Sequence, residues 1–402
     1  MFMSRPCHRA TTSPVVFLAA SLFLFSAGSV VIAQHDVSGG TPAGMVGGSV
    51  SGSTGRTSGK PATASTVPRR RTPAAAPKPA ARGFNADYYN RQGDDFYNAK
   101  NYKDALEAYL KAVELNPNLA TAQYRIGWIY NDQEEYEDAI EALKRATALD
   151  ANNSAAFAEL GYSYRKLNRY DEALASYRQA LRIKPDYASA YYEIAWIKND
   201  QDDYSAAVTN LKQALQYRPD YPEARNELGY SYRKLGRYSE AVEEYQEAIR
   251  LKPDMALAHL GLGDVYFYST KQYPLAIREY QEGVRLNPNS PVAFYNLGWC
   301  YNDANRYSEG VTALTEAVRL KPEYAEAHNE LGYSYHHTNR YADAAEEYKI
   351  AIRQKPDYSL AHYNLALTYI AMRNRNGALE QYRILQRMDP NRATKLYALI
   401  NQ

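Results

Sequence analysis

The chain has 402 residues, of which 45% are hydrophobic and 23% are charged, and its formal net charge is +2. This composition fits a soluble fold with a sizeable core, and it lacks the basic excess of nucleic-acid-binding domains. The charge is spread unevenly. Residues 1–83 hold nine basic residues and one acidic residue, a net +8, whereas residues 84–402 hold 38 basic and 44 acidic residues, a net −6.

The N-terminus has the pattern of an export signal. Arg5 and Arg9 precede an apolar run from Pro14 to Ala33, which ends in small residues before Gln34. We therefore expect residues 1–33 to be a signal peptide and the mature chain to be periplasmic, at the cell surface or secreted. An uncleaved membrane anchor through residues 14–33 is the alternative, because the run is long enough to span a bilayer.

Residues 34–83 read as a disordered linker. They are rich in Gly, Ser, Thr, Pro and Ala and contain almost no large apolar side chains. Such a segment cannot bury enough surface to offset the entropy lost on ordering. Cleavage of the signal would remove Cys7 and leave Cys300 alone, so the mature chain could form no internal disulfide.

From residue 84 onward one pattern recurs nine times. Each copy has two amphipathic stretches joined by a short turn, and in most copies a proline follows the second stretch. A small residue marks the first stretch at a spacing of 34, with one spacing of 35. These residues are Gly93, Gly127, Gly161, Ala195, Gly229, Gly263, Gly298, Gly332 and Ala366.

This pattern resembles the tetratricopeptide repeat, whose units carry an aromatic–Leu–Gly–Tyr, Ala, aromatic, Ala, Pro series over 34 residues. The resemblance covers about residues 86–390 and implies an all-α, right-handed superhelical solenoid of about nine helix-turn-helix units. We assign residues 84–390 to the array, with one residue inserted between the helices of the sixth unit. Residues 391–402 are predicted to form a capping helix, since some of them follow helical spacing: Ala393, Leu396, Tyr397 and Ile400.

One stretch within the array is repeated closely. "ELGYSYRKL" occurs at Glu159–Leu167 and at Glu227–Leu235, and "ELGYSYHHT" begins at Glu330. At 100° per residue of helix, one set of side chains in the first copy faces the core: Leu160, Tyr164 and Leu167. The opposite set is predicted to face outward, on the side that the resemblance makes the concave, partner-binding surface: Tyr162, Arg165 and Lys166.

Residues on that surface alternate in pairs of units. The residue after the small position is Trp or Tyr in six units; Asn-Asp follows three and four residues after each Trp, and Arg-Lys or His-His follows each Tyr. Large aromatic and Arg side chains are the usual anchors of interfaces. We therefore predict a ligand-binding set on the concave face: Trp128, Asn131, Tyr162, Arg165, Lys166, Trp196, Asn199, Tyr230, Arg233, Lys234, Trp299, Asn302 and Tyr333.

A second interpretation of the alternation needs no ligand. Neighbouring first helices lie side by side, so Asp132 could pair with Arg165 or Lys166 in the next unit, and Asp200 with Arg233 or Lys234. The alternation would then be a self-neutralising charge ladder with the rings packed between helices. Both interpretations stay open on the sequence alone.

Catalytic chemistry has little support in this sequence. It contains no P-loop, nucleophile elbow or dinucleotide-binding glycine loop. We interpret His259, His328 and His362 as packing residues, and the pair His336–His337 lacks a further ligand at helical spacing for a metal site. We therefore predict no enzyme activity, catalytic residue, metal or cofactor.

The sequence predicts a non-catalytic interaction scaffold outside the cytoplasm. Its partner would be a protein or peptide segment in the concave groove, and no nucleic acid. The alternative is a glycan-binding protein associated with polysaccharide export or envelope assembly, because sugar rings stack on Trp and Tyr. A regulatory subunit of an envelope enzyme is a third possibility, which the sequence neither supports nor excludes.

Overall fold

The computed structural model describes residues 84–401; the predicted signal (1–33) and linker (34–83) lie outside the described residues. Residues 84–401 form 19 α-helices and no strand. Eighteen of the helices form nine consecutive pairs, here called units 1 to 9. The predicted all-α solenoid of repeated helix pairs is therefore confirmed.

The first helices of units 1 to 9 carry odd numbers: α1 (Ala86–Asn98), α3 (Ala120–Asp132), α5 (Ser154–Lys166), α7 (Ala188–Asp200), α9 (Pro222–Lys234), α11 (Ala256–Asp264), α13 (Pro291–Asp303), α15 (Ala325–His337) and α17 (Ser359–Ala371). The second helices carry even numbers: α2 (Tyr102–Leu115), α4 (Tyr136–Leu149), α6 (Tyr170–Ile183), α8 (Tyr204–Tyr217), α10 (Tyr238–Leu251), α12 (Tyr273–Leu286), α14 (Tyr307–Leu320), α16 (Tyr341–Gln354) and α18 (Arg375–Met388).

A final helix, α19 (Pro390–Ile400), packs against α17 and α18. It buries Ala393, Leu396 and Ile400, whereas Tyr397, which shares their helical spacing in the sequence, is 52% exposed. None of the helices between residues 84 and 401 is long and apolar enough to cross a membrane.

The small position is the point of closest approach between the two helices of a unit. A Cβ atom on Gly161 would lie 2.8 Å from the Tyr177 ring, and one on Gly127 would lie 2.4 Å from Leu143. The two-unit alternation continues at this contact. Units with a Trp on the first helix place a buried Leu opposite the small residue, and units with a Tyr place a buried Tyr there: Leu143, Leu211 and Leu314, and Tyr177, Tyr245 and Tyr348.

The remaining core follows the sequence pattern. Leu160 and Tyr164 are each 6% exposed, and Leu167 packs against the same cluster, as predicted. His259 is also buried, with Nδ1 2.8 Å from Glu279 and Nε2 3.3 Å from the carbonyl of Pro253. His328 and His362 repeat this arrangement with Glu347 and Gln381. The histidines therefore join the two helices of their units to the preceding loop.

The residue inserted in unit 6 is absorbed in a π-helical turn. Helix α11 continues from Asp264 into this turn at Val265–Ser269. Single π turns accommodate one extra residue within a helix. As a result Phe267 points into the core and is 1% exposed, while Tyr268 is 41% exposed.

The turn between the two helices of each unit contains a residue with positive φ, between 54° and 73°. The nine residues are Lys100, Glu134, Asn168, Asp202, Gly236, Lys271, Asn305, Asn339 and Arg373. A left-handed backbone costs most L-residues about 1–2 kcal/mol and costs Asn and Asp, which occur in four of these turns, less. The glycine of unit 5 adopts it without this cost.

We therefore expect substitutions at equivalent turns to have opposite effects. Gly236→Ala should lower the free energy of unfolding by about 1 kcal/mol, and Glu134→Gly should raise it by a few tenths to about 1 kcal/mol. Urea unfolding followed by circular dichroism measures both. If both substitutions raised the free energy of unfolding, or both lowered it, this explanation of the turn would be wrong.

Candidate binding site on the inner wall

Six rings of the predicted set lie on the same face of their first helices, one residue after the small position. All six are half-buried: Trp128, Tyr162, Trp196, Tyr230, Trp299 and Tyr333. We call the face that carries them the inner wall. On each of these helices, the side chains three and four residues after the ring differ in their contacts, and this difference organises the site.

The asparagines three residues after each Trp bind the next unit. The Asn131 amide donates to the Glu159 carboxylate at 2.9 Å and to the Glu159 carbonyl at 3.2 Å, and its oxygen accepts from the Ser163 hydroxyl at 2.7 Å. Asn199 makes the same carboxylate and hydroxyl contacts with Glu227 and Ser231, and Asn302 makes all three with Glu330 and Ser334. We call this set of contacts the Asn joint.

The arginines three residues after Tyr162 and Tyr230 also bind the next unit. Arg165 Nε lies 2.7 Å from Glu193 Oε2, and its guanidinium lies 4.6 Å from the centre of the Trp196 ring. The N–H is not aligned with the carboxylate, so the contact is an ion pair rather than a linear hydrogen bond. Arg233 pairs similarly with Asp264 at 3.6 Å. We call this contact the Arg joint.

Two expectations are corrected here. The charge ladder paired Asp132 with Arg165 or Lys166 and Asp200 with Arg233 or Lys234, but both arginines instead pair with carboxylates of the following unit. The helical wheel also placed Arg165 on an open face, whereas it is only 7% exposed. The reason is that first helices of successive units pack side by side on this face, which a single-helix projection omits.

The partners in the joints were missed by sequence reasoning, although a signal was present. Glu159 and Ser163 lie within the repeated "ELGYS", one residue before the core Leu and one after the ring. The joints hold neighbouring units together and involve five members of the predicted ligand set: Asn131, Arg165, Asn199, Arg233 and Asn302. Ligand contact by these five stays a prediction.

Two of the three Asn-joint carboxyl groups, Glu159 and Glu330, have pKa values that their surroundings raise. Burial raises the pKa of Glu159 to about 7, although the Asn131 hydrogen bond opposes the shift. Burial likewise raises the pKa of Glu330 to about 7 against the hydrogen bond from Asn302. Each of these two carboxyl groups therefore keeps its proton to a higher pH than an exposed glutamate does.

The side chains four residues after the rings point toward solvent and complete a second set of sites. We call three of these sites Tyr stations. In each, the first tyrosine of a unit's second helix contacts the inner-wall tyrosine of the next unit, and a basic residue lies against both rings. The Tyr136 and Tyr162 centroids are 6.3 Å apart, and Lys166 Nζ is 5.9 and 5.5 Å from them. The other two stations are Tyr204/Tyr230/Lys234 and Tyr307/Tyr333/His337.

The third Tyr station is closed by its own imidazole. The His337 ring stacks on Tyr307 at 4.4 Å with an interplanar angle of 13°, and lies 4.3 Å from Tyr333. Burial lowers the pKa of His337, so the ring is neutral near pH 7. Only the first two Tyr stations therefore carry a cation at neutral pH.

We call the ring clusters around the inner-wall tryptophans the Trp stations. Four residues after each tryptophan they carry an aspartate: Asp132, Asp200 and Asp303. Trp128 lies 5.2 Å from both Tyr97 and Tyr102, and Asp132 follows it by one helical turn. At the Trp196 station, Asp200 lies close to the hydroxyl group of Tyr170. Burial raises the pKa of Tyr170 to about 12, and Asp200 adds to the shift. At Trp299 the π turn contributes two further rings, Phe267 at 5.4 Å and Tyr268 at 5.5 Å.

Comparisons with known families agree with this architecture. A model described as "TPR repeat" matches residues 161–196, 197–235, 229–268 and 267–299. A second, "Tetratricopeptide repeat", matches residues 90–156 and 295–359. The chain belongs to the tetratricopeptide repeat family. A search of curated proteins found no match. Members of this family are generally non-catalytic.

Three solved structures match part of this chain. YrrB, described as a TPR protein with an unusual peptide-binding site, is 23% identical, and the match covers 46% of this chain and 95% of YrrB with a TM-score of 0.41. MamA from Desulfovibrio magneticus RS-1 is 26% identical over 42% of this chain and 96% of MamA, with a TM-score of 0.40. PilF from Pseudomonas aeruginosa is 18% identical over 52% of this chain and 96% of PilF, with a TM-score of 0.47.

The two basic residues of the repeated Arg-Lys pair should differ sharply in their effect on stability. Arg165→Ala removes one partner of a buried ion pair and should lower the free energy of unfolding by about 3 kcal/mol. Lys166→Ala removes a partly exposed side chain that takes no part in a joint, and should change the free energy of unfolding by less than about 0.5 kcal/mol. Urea unfolding of both variants measures the difference; similar losses would contradict the assignment of Arg165 to a joint.

The raised pKa values of Glu159 and Glu330 predict a dependence of stability on pH. Between the ordinary value of 4.5 and about 7, the folded state keeps protons that the unfolded state has released. The free energy of unfolding should therefore fall as pH rises through this window, by roughly 3 kcal/mol per carboxyl group at most.

Glu159→Gln with Glu330→Gln should flatten this slope and stabilise the protein at pH 7.5, because glutamine retains the accepting oxygen without the charge. Glu141→Gln with Glu323→Gln removes two exposed charges and is the matched control. Thermal unfolding between pH 5 and 8 measures the slopes. If both double variants keep the wild-type slope, burial of the joint carboxylates is not its source.

Proposed function

We propose that this chain is a non-catalytic scaffold that binds an extended segment of a partner protein along the inner wall, outside the cytoplasm. The proposal is carried by the six half-buried rings at equivalent positions of six units, whose outer faces remain partly open after the joints are formed. Rigid aromatic surfaces at regular spacing are suited to an extended chain, because they give large contact area at a low cost in side-chain entropy. The location outside the cytoplasm rests on the export signal expected at residues 1–33.

A protein partner is favoured over a neutral polymer by the charges beside the rings. Lys166 and Lys234 lie against the rings of two Tyr stations, and aspartates follow the rings of the Trp stations. A glycan is the second candidate, since the Trp299 station sets an exposed Tyr268 ring beside Trp299, and sugar rings stack on such faces. Binding of a charged peptide should weaken as salt is added, whereas binding of a neutral glycan should not.

The test is capture of partners from the native envelope by crosslinking. Trp196→Ala with Tyr230→Ala should reduce capture at least tenfold, because it removes the rings of two adjacent stations. Helical content by circular dichroism should stay unchanged. The matched control is Tyr217→Ala with Tyr397→Ala, which removes two rings that are 41% and 52% exposed and lie off the inner wall.

The control variant should capture partners like the wild type. If the inner-wall variant keeps its helical content and captures partners equally well, binding does not use the inner wall. If both variants lose capture to the same degree, the loss reflects the array as a whole, and the proposal also fails.

A further inference from the structure

The charged residues that follow the rings by four positions alternate in sign along the first four stations. They are Asp132 on α3, Lys166 on α5, Asp200 on α7 and Lys234 on α9. Each occupies the same place relative to its ring and to the small position. The inner wall of units 2 to 5 therefore presents a row of negative, positive, negative and positive groups, one for each unit.

Within residues 84–401 no ion pair joins the charges of this row to another side chain, whereas the neighbouring Arg165 and Arg233 both form ion pairs. The joints thus use the side chains three positions after the ring, which are asparagine or arginine, and leave the charged side chains four positions after it outside the joints. Lys166 and Lys234 are held against two rings each, so their ammonium groups are positioned although neither forms an ion pair among residues 84–401. The Asp202 carboxylate lies near Lys234 without forming an ion pair with it.

Each station offers a distinct chemistry to a ligand. A cation beside a Trp face and an aspartate gains from both the ring quadrupole and the carboxylate, which suits a Lys or Arg side chain. An anion beside a lysine that is fixed by two tyrosine rings gains a charge-assisted hydrogen bond, which suits an Asp or Glu side chain. A ligand that matches the alternating signs must carry both kinds of charged group along a single chain. Of the two candidate ligands, a protein segment ordinarily does so and a neutral glycan does not.

The spacing of the units sets the spacing of the charges. Packed helices lie about 8–10 Å apart, and an extended chain advances about 3.3 Å per residue. One unit therefore corresponds to about three residues of an extended ligand. We propose that units 2 to 5 bind a protein segment in which basic and acidic side chains alternate at about every third residue. The inference rests on the proposed function and specifies the partner of that site.

The test uses the full-length chain and labelled twelve-residue peptides of equal composition. In the alternating peptide, two Lys and two Glu occupy every third position in the order Lys-Glu-Lys-Glu, with Gly and Ser between them. In the block peptide the order is Lys-Lys-Glu-Glu at the same positions. Fluorescence anisotropy at low ionic strength should give at least tenfold tighter binding of the alternating peptide.

The decisive variant combines Lys166→Asp with Asp200→Lys. It keeps the net charge but changes the order along the wall to negative, negative, positive, positive. It should reverse the preference, so that the block peptide binds at least tenfold more tightly than the alternating one. The control is Lys144→Asp with Asp171→Lys, a charge exchange at two exposed positions of α4 and α6, which should leave the wild-type preference unchanged.

Equal binding of the two peptides by the wild type overturns the inference, as does binding of neither, or an unchanged preference in the decisive variant. The proposed function is judged separately, by partner capture with Trp196→Ala and Tyr230→Ala. If that capture is lost while the peptides are not distinguished, the wall binds a partner but does not recognise the order of its charges.

Discussion

Close contact between the two helices of each unit, at a single small residue, is the constraint on which the rest of the array depends. Gly161 lies so near the Tyr177 ring that even a methyl group would collide with it. The ring thus reaches past the first helix toward the inner wall, where Arg165 and Glu193 are among the charged neighbours of its hydroxyl. Where the wall carries Trp and Asn, the opposing residue is Leu and no hydroxyl is supplied. The core and the wall consequently alternate together.

A difference of one residue on each first helix separates the side chains that join units from those that stay at least partly exposed. Residues three and four positions after the ring differ by 100° around the helix axis. Asn131 and Arg165, at the first of these positions, contact the following unit; Asp132 and Lys166, at the second, stay outside the joints. An interface that repeats can in this way hold its units together and still present a periodic row of charges. The Asn and Arg joints also need different partners, so the two unit types favour a fixed order.

Unit 6 interrupts both the alternation of Trp and Tyr and the row of charges on the inner wall. Asp264 replaces the ring and accepts the ion pair from Arg233, and the hydroxyl of Tyr280 also donates to it at 2.8 Å. The π turn then restores an aromatic surface by exposing Tyr268 beside Trp299. The wall is therefore divided into a longer part with alternating charge, in units 2 to 5, and a shorter, mainly aromatic part around units 6 and 7. The imidazole of His337, neutral at pH 7, continues this second part into unit 8.

The repeat, its period, the small residue at the helix contact and the alternation of Trp and Tyr can all be read from the sequence, because each depends on residues at a fixed spacing. The same helical spacing identifies Leu160 and Tyr164 as core residues. Which inner-wall residues take part in joints between units is visible only in the folded structure. Arg165 pairs with a carboxylate 28 residues later, on a neighbouring helix, and a projection of α5 alone shows an open face there. Contacts between units depend on how the helices stack, and that arrangement distinguishes the buried Arg165 from Lys166, its neighbour in the chain.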